Sequence, residues 1–97
     1  MVTLRIHHGV PDFDAWLRAF EADPVGRQRG GVRRYHVRRG VLDPHLATVD
    51  LELDDLPAAE AFLARLQRLW LGAGRSVMQR PEAWILAPVA TAEVVGG

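Results

Sequence analysis

From Val2 to His8 the chain alternates: Val2, Leu4 and Ile6 are apolar, while Thr3, Arg5 and His7 are polar. That period of two predicts a strand with one buried face. Gly9-Val10-Pro11-Asp12 breaks it. Asp12 suits a helix N-cap. Phe13, Trp16, Leu17 and Phe20 follow at i, i+3, i+4 and i+7, the apolar stripe of an amphipathic helix. The helix is expected to fade near Ala22, because Pro24 and Gly26 come next. Arg27 to Gly31 reads as a polar, glycine-rich connection.

Val32 to Arg39 reads as a second strand, with Tyr35 and Val37 on one face and Arg34, His36 and Arg38 on the other. Gly40 to Pro44 is turn-like. Leu46 to Leu53 alternates most clearly, setting Ala47, Val49, Leu51 and Leu53 against Thr48, Asp50 and Glu52. Asp54 or Asp55 caps a second helix that tolerates Pro57 in its first turn. Its buried stripe is Ala59, Phe62, Leu63, Leu66 and either Leu69 or Trp70, and Gly72 and Gly74 end it. Arg75 to Glu82 reads as a loop or an irregular turn, Ala83 to Val89 as a last strand, and Thr91 to Gly97 as a loose tail.

The order β-α-β-β-α-β predicts a ferredoxin-like α+β fold, a four-stranded antiparallel sheet with two helices on one face. Residues 1–90 make one domain and 91–97 the tail. Pairing Tyr35 with Leu51 and Val37 with Val49 keeps apolar opposite apolar. The same register sets His36 opposite Asp50 and Arg34 opposite Glu52, opposite-sign neighbours that support one another. The first strand is expected on the far side of the third, adding Arg5 and His7 to the polar face. With the helices on the apolar face, the polar face meets water or a partner.

A chain of 97 residues supports a single domain. At that size it buries only about 60–65% of its unfolded surface, so association adds burial. Twelve basic and twelve acidic residues cancel, which argues against a general polyanion binder. An RNA-recognition module shares the element order but stacks bases on aromatics of its open sheet face. Here the third strand offers Thr48, Asp50 and Glu52, so no nucleic-acid partner is expected. Every basic residue is Arg, which favours fixed bidentate pairs with carboxylates. The absence of cysteine excludes disulfides, thiolate metal sites and cysteine nucleophiles. No basic leader precedes an apolar run, and no stretch approaches the ~18–20 apolar residues of a membrane span. A cytoplasmic location and no membrane partner are expected.

By parity His8 follows Leu4 and Ile6 to the helix-facing side, and Tyr35 shares it. Trp16, Phe20, Phe62 and Trp70 come from the helices, with Met78 and Trp84 closing one end. This describes an aromatic pocket with two proton-handling groups, the make-up of a small-molecule site. In it His8 acts as a general base and Tyr35 donates a hydrogen bond to a developing enolate. The competing reading makes the aromatics plain core and His8 a solvated or backbone-bound side chain. His7, His36 and Asp50 have the residue types of a two-histidine, one-carboxylate iron site. Arg5, Arg34 and Arg38 crowd the same face and repel a cation, so no metal is expected. Arg27, Arg29, Arg33, Arg34, Arg38 and Arg39 form a local basic run. It either meets an anionic substrate or pairs with Asp50, Glu52 and nearby acids.

Val10-Pro11-Asp12-Phe13-Asp14-Ala15-Trp16 resembles the strand-to-helix turn of the dimeric α+β-barrel superfamily. Asp23-Pro24-Val25-Gly26-Arg27, Gly30-Gly31-Val32-Arg33-Arg34-Tyr35 and Ala59-Glu60-Ala61-Phe62-Leu63 continue the likeness, which covers residues 2 to 89. It is similar to small bacterial proteins of the antibiotic-biosynthesis-monooxygenase-like group, some of them labelled cyclases. The resemblance implies a homodimer through the polar sheet face. It also implies one of several activities: cofactor-free oxidation of polycyclic phenols, polyketide cyclisation, lactone isomerisation or haem breakdown. Fold analogy does not choose among these. With the residues above, the expectation is a monooxygenase or a cyclase/isomerase that needs no cofactor. Its substrate would be a small aromatic or polyketide-like molecule. The alternative is a non-catalytic ligand-binding or dimeric accessory protein of the same fold.

Overall fold

A computed structural model describes residues 1–23, 25–72 and 77–96. The break expected at Pro24, the helix stop at Gly74, the loop start at Arg75 and the last tail residue, Gly97, lie outside the described residues. The elements are β1 (Val2–Gly9), α1 (Phe13–Glu21), β2 (Arg34–Arg39), β3 (Leu46–Leu53), α2 (Leu56–Leu71) and β4 (Gln79–Leu86). They form one antiparallel sheet in the order β2-β3-β1-β4, the ferredoxin-like α+β arrangement expected from the pattern.

The hairpin register is the one apolar matching requires: Tyr35 faces Leu51, Val37 faces Val49, His36 faces Asp50 and Arg34 faces Glu52. β1 lies beyond β3 with Arg5 opposite Asp50. Leu4, Ile6, Ala47, Val49, Leu51 and Leu53 are buried on the helix side, against Trp16, Ala59 and Phe62. Asp12 caps α1, its Oδ1 accepting from Ala15 N–H at 3.2 Å. Asp55, rather than Asp54, caps α2 by accepting from Ala58 N–H at 3.0 Å. Asp54 instead takes a bidentate bond from Arg33 at 3.2 and 2.8 Å. Gly30 brings the α1–β2 connection onto the ring of Phe62, where a Cβ would stand 2.6 Å from Cε1.

The last strand departs from expectation. It starts at Gln79 instead of Ala83 and stops at Leu86 instead of Val89. Pro81 falls inside the strand because β4 is an edge strand, where a missing N–H leaves the ladder intact. Between the His7–Glu82 and Gly9–Gln79 pairs, Arg80 and Pro81 oppose His8 alone, so β4 carries a bulge. Arg80 turns left-handed there, with φ 50°. This bulge sets the phase of the strand: Glu82, Trp84 and Leu86 pair with His7, Arg5 and Thr3 on the open face. Ala83 and Ile85 face the helices. β2 also starts later than Val32, at Arg34, although Arg33 N–H still reaches Glu52 O at 2.8 Å.

On the open face Arg5 grips Asp50 through Nε and Nη2, at 2.9 and 3.0 Å, and Arg38 Nη1 adds a contact at 3.3 Å. Arg34 grips Glu52 at 2.6 and 3.1 Å. The hydrogen bonds from Arg5, with the charge of Arg38, hold the Asp50 carboxyl below the usual carboxylate range. Asp50 is thereby engaged by two guanidiniums. Among the described residues no helix is long and apolar enough to cross a membrane.

Candidate functional site

A cavity of about 290 Å³ opens between the sheet and the helices. β1 contributes Ile6 and His8, α1 contributes Trp16 and Phe20, and α2 contributes Phe62, Leu66, Leu69 and Trp70, with Met78 beyond it. Its walls are almost wholly apolar, which follows from the parity of β1 and β3 and the stripes of both helices. Three side chains add titratable groups: His8, Asp23 and Arg27.

His8 is placed by β1 alternation, one position beyond His7, which projects to the opposite face. Its side chain is buried, 3% exposed. The ring lies 4.8 Å from Trp16, centroid to centroid, at 56°. Nδ1 is 3.3 Å from the Gly9 carbonyl. Assigning the proton to Nδ1 makes that contact a donated bond and leaves Nε2 with a free lone pair. Burial pushes the imidazole pKa down to about 4 from an ordinary 6.5, against the opposing pull of the Gly9 carbonyl. His8 is therefore neutral at pH 7.

The remaining wall is a run of rings. Trp16 stacks on Phe20 at 5.4 Å, and Phe13 leans on Trp16 at 5.5 Å. Trp16, Phe20, Phe62, Trp70 and Met78 all line the cavity with His8.

Two expected members do not join them. Trp84 lies on the open face, opposite Arg5, with its ring 5.0 Å from His7 and 42% of its surface exposed. The β4 bulge is the cause, because it fixes a phase that strand periodicity alone leaves undetermined. Tyr35 keeps the helix-side parity, but it sits on the edge strand β2 and is 44% exposed. Its ring meets Phe20 edge-on at 5.1 Å, and Phe20 and Arg27 line the cavity in its place. Tyr35 and His8 are thus not brought together as a pair.

Asp23 and Arg27 appear in the sequence as part of the Asp23–Arg27 motif, and Arg27 also in a basic run, but neither was expected in the cavity wall. An available signal was the spacing: an Asp just past a helix, four residues before an Arg, with Gly26 between. In the structure Asp23 is left-handed (φ 55°) and its carboxylate accepts from Arg27 N–H at 2.9 and 3.2 Å. Asp is one of the few side chains that tolerates that backbone. The other arginines of the run pair with Asp54, Glu52 and Asp50, apart from Arg39, which lies 5.2 Å above the Phe13 ring, and Arg29.

No family model matches the chain, and no curated protein does. Solved structures do. PA3566 from Pseudomonas aeruginosa shares 21% identity over 92% of this chain and 94% of that one, with a TM-score of 0.68. A mutant of SnoaB, a cofactor-independent oxygenase from Streptomyces nogalater, shares 18% over 93% and 94%, with a TM-score of 0.71. A structure described as an antibiotic biosynthesis monooxygenase shares 15% over 93% and 100%, with a TM-score of 0.69. Identities this low carry the fold alone, and on that ground the chain takes the same ferredoxin-like α+β fold as these structures.

Proposed function

We propose that the protein is a cofactor-independent oxygenase of a small aromatic or polyketide-like molecule. His8 removes a proton from the bound substrate, and the resulting carbanion reacts with O₂ directly. The observation that carries this reading is an uncharged imidazole in the wall of an apolar, aromatic cavity. A neutral imidazole accepts a proton at pH 7 without first losing one. Burial sets its low proton affinity. A developing enolate or phenolate beside the ring stabilises the imidazolium and raises that affinity. Trp16, Phe20, Phe62, Trp70 and Met78 give the substrate its apolar contacts, and Tyr35 backs Phe20 and Arg27 from outside the cavity. The fold it shares with an oxygenase supports the reading without specifying the substrate.

The test is O₂ uptake against a panel of polycyclic phenols, with wild type and His8→Gln. Uptake that falls about 10²-fold or more in the variant, with binding retained, is the expected result. Substrate consumed without O₂ makes the reaction a cyclisation or isomerisation at the same base. Binding without any turnover makes the protein a ligand carrier. Wild-type turnover by the variant removes His8 from the chemistry.

We further infer that two copies pair through the open sheet face. Met1 and Leu86 are exposed beside Arg5, Asp50, Arg38 and Glu52, lining a concavity of about 390 Å³, and Trp84 is exposed on the same face opposite Arg5. Sedimentation equilibrium should give a dimer for the wild type and a monomer for Trp84→Glu. A wild-type monomer at tens of micromolar would reject the pairing.

A further inference from the structure

Arg27 stands where the cavity wall turns from apolar to charged. The turn at Asp23 carries the chain back over the end of α1, so that Arg27 Nη1 donates to the Phe20 carbonyl at 2.7 Å. The guanidinium carbon lies 4.1 Å from the Phe20 ring centroid and 4.9 Å from that of Tyr35. Its side chain is 16% exposed. Two aromatic faces and a carbonyl therefore hold the cation in one place. Among the described residues its side chain makes that single hydrogen bond, and a guanidinium has five N–H donors. The Asp23 carboxylate is 3.6 Å from Nη1, but it already accepts the Arg27 backbone N–H.

His8 and Arg27 belong to the same wall, joined by Trp16 and Phe20, whose rings follow one another at 4.8 and 5.4 Å. His8 and Arg27 thus bound one cavity, with the aromatic rings of Trp16 and Phe20 between them. We propose that the cavity selects molecules with an apolar aromatic body and one anionic group, a carboxylate or an ionised phenol, seated on Arg27. This rests on the cavity being the substrate site and narrows what that site accepts. A neutral ring system of the same size fills the apolar space equally well but offers no negative charge to the remaining Arg27 donors.

Calorimetric titration with 2-naphthoate and 2-naphthamide tests the proposal, because the two differ chiefly in charge. Wild type should bind the naphthoate about tenfold more tightly, the scale of a hydrogen bond to a charged group. Arg27→Met should abolish the preference and leave naphthamide binding within about twofold. Asp23→Asn keeps an acceptor oxygen and a residue suited to left-handed backbone while removing the competing negative charge. It should tighten naphthoate about threefold or more and leave naphthamide unchanged. If Arg27→Met fails to fold, the Asp23→Asn arm decides. Equal wild-type binding of both probes, or a preference that survives Arg27→Met, overturns the anion proposal while leaving the cavity as a binding site. Binding of neither probe overturns the cavity reading itself.

Discussion

Acidification from pH 7 to 4 should remove a defined share of the stability through His8 alone. The side chain is 3% exposed, and burial lowers its pKa from 6.5 to about 4. An unfolded chain takes up the proton near 6.5, whereas the folded one resists it until about 4. Between those values the unfolded state binds more protons, so the unfolding free energy falls as pH falls. At 1.36 kcal/mol per unit, the loss amounts to about 3 kcal/mol, complete near pH 4 and absent at pH 7. That is a large part of the ~5–15 kcal/mol typical of a domain.

Urea midpoints from pH 7.5 to 3.5, at one protein concentration, measure it when wild type is compared with His8→Phe. Asp50, Glu52 and Asp54 also have lowered pKa values, and their stabilisation is lost as pH falls below the ordinary carboxylate range. That loss is common to both proteins and cancels in the difference. The difference curve should slope only between about pH 6.5 and 4. Parallel curves, or an NMR titration placing His8 at 6 or above, would refute the reasoning.

Other outcomes follow from single contacts. Gly30→Ala should destabilise by about 1–3 kcal/mol in thermal or urea melts, because the new Cβ overlaps a Phe62 ring that the core holds in place. Phe62→Ala should cost about 3–5 kcal/mol and widen the cavity, so that a probe one ring larger than naphthoate gains affinity. Asp12→Ala removes the bond to Ala15 N–H and should cost about 1 kcal/mol, with loss of helical signal at 222 nm; Asp12→Asn should restore both. Asp50→Asn leaves Arg5 and Arg38 facing each other without their counter-charge. The partly screened pair should lose about 1–2 kcal/mol near neutral pH, a loss that shrinks as pH falls below the ordinary carboxylate range and the folded Asp50 takes up its proton.

Part of the cavity lining was legible before the structure. His8, Trp16, Phe20, Phe62 and Trp70 line the cavity because strand parity and helix stripes assign a side chain to a face from its own position. Met78 joins them from the segment before β4. Trp84 was misplaced because its face depends on the bulge at Arg80 and Pro81, a feature of how β4 meets β1. Arg27 and Asp23 were missed as site residues because a left-handed turn folds them back over α1, and no periodicity describes that.

The order of the elements, the cap at Asp12, a second cap narrowed to Asp54 or Asp55, the β2–β3 register and the two-faced sheet were all written in the residues themselves. Each rests on local geometry: alternation along an extended chain, a 3.6-residue stripe, and a carboxylate within reach of the first free N–H groups. The phase of β4, the cavity volume and the placing of a cation on its rim came from the tertiary structure. Those depend on distances between separate elements, which are set by a bulge, by the spacing of packed layers and by one strained turn, and none of these is periodic.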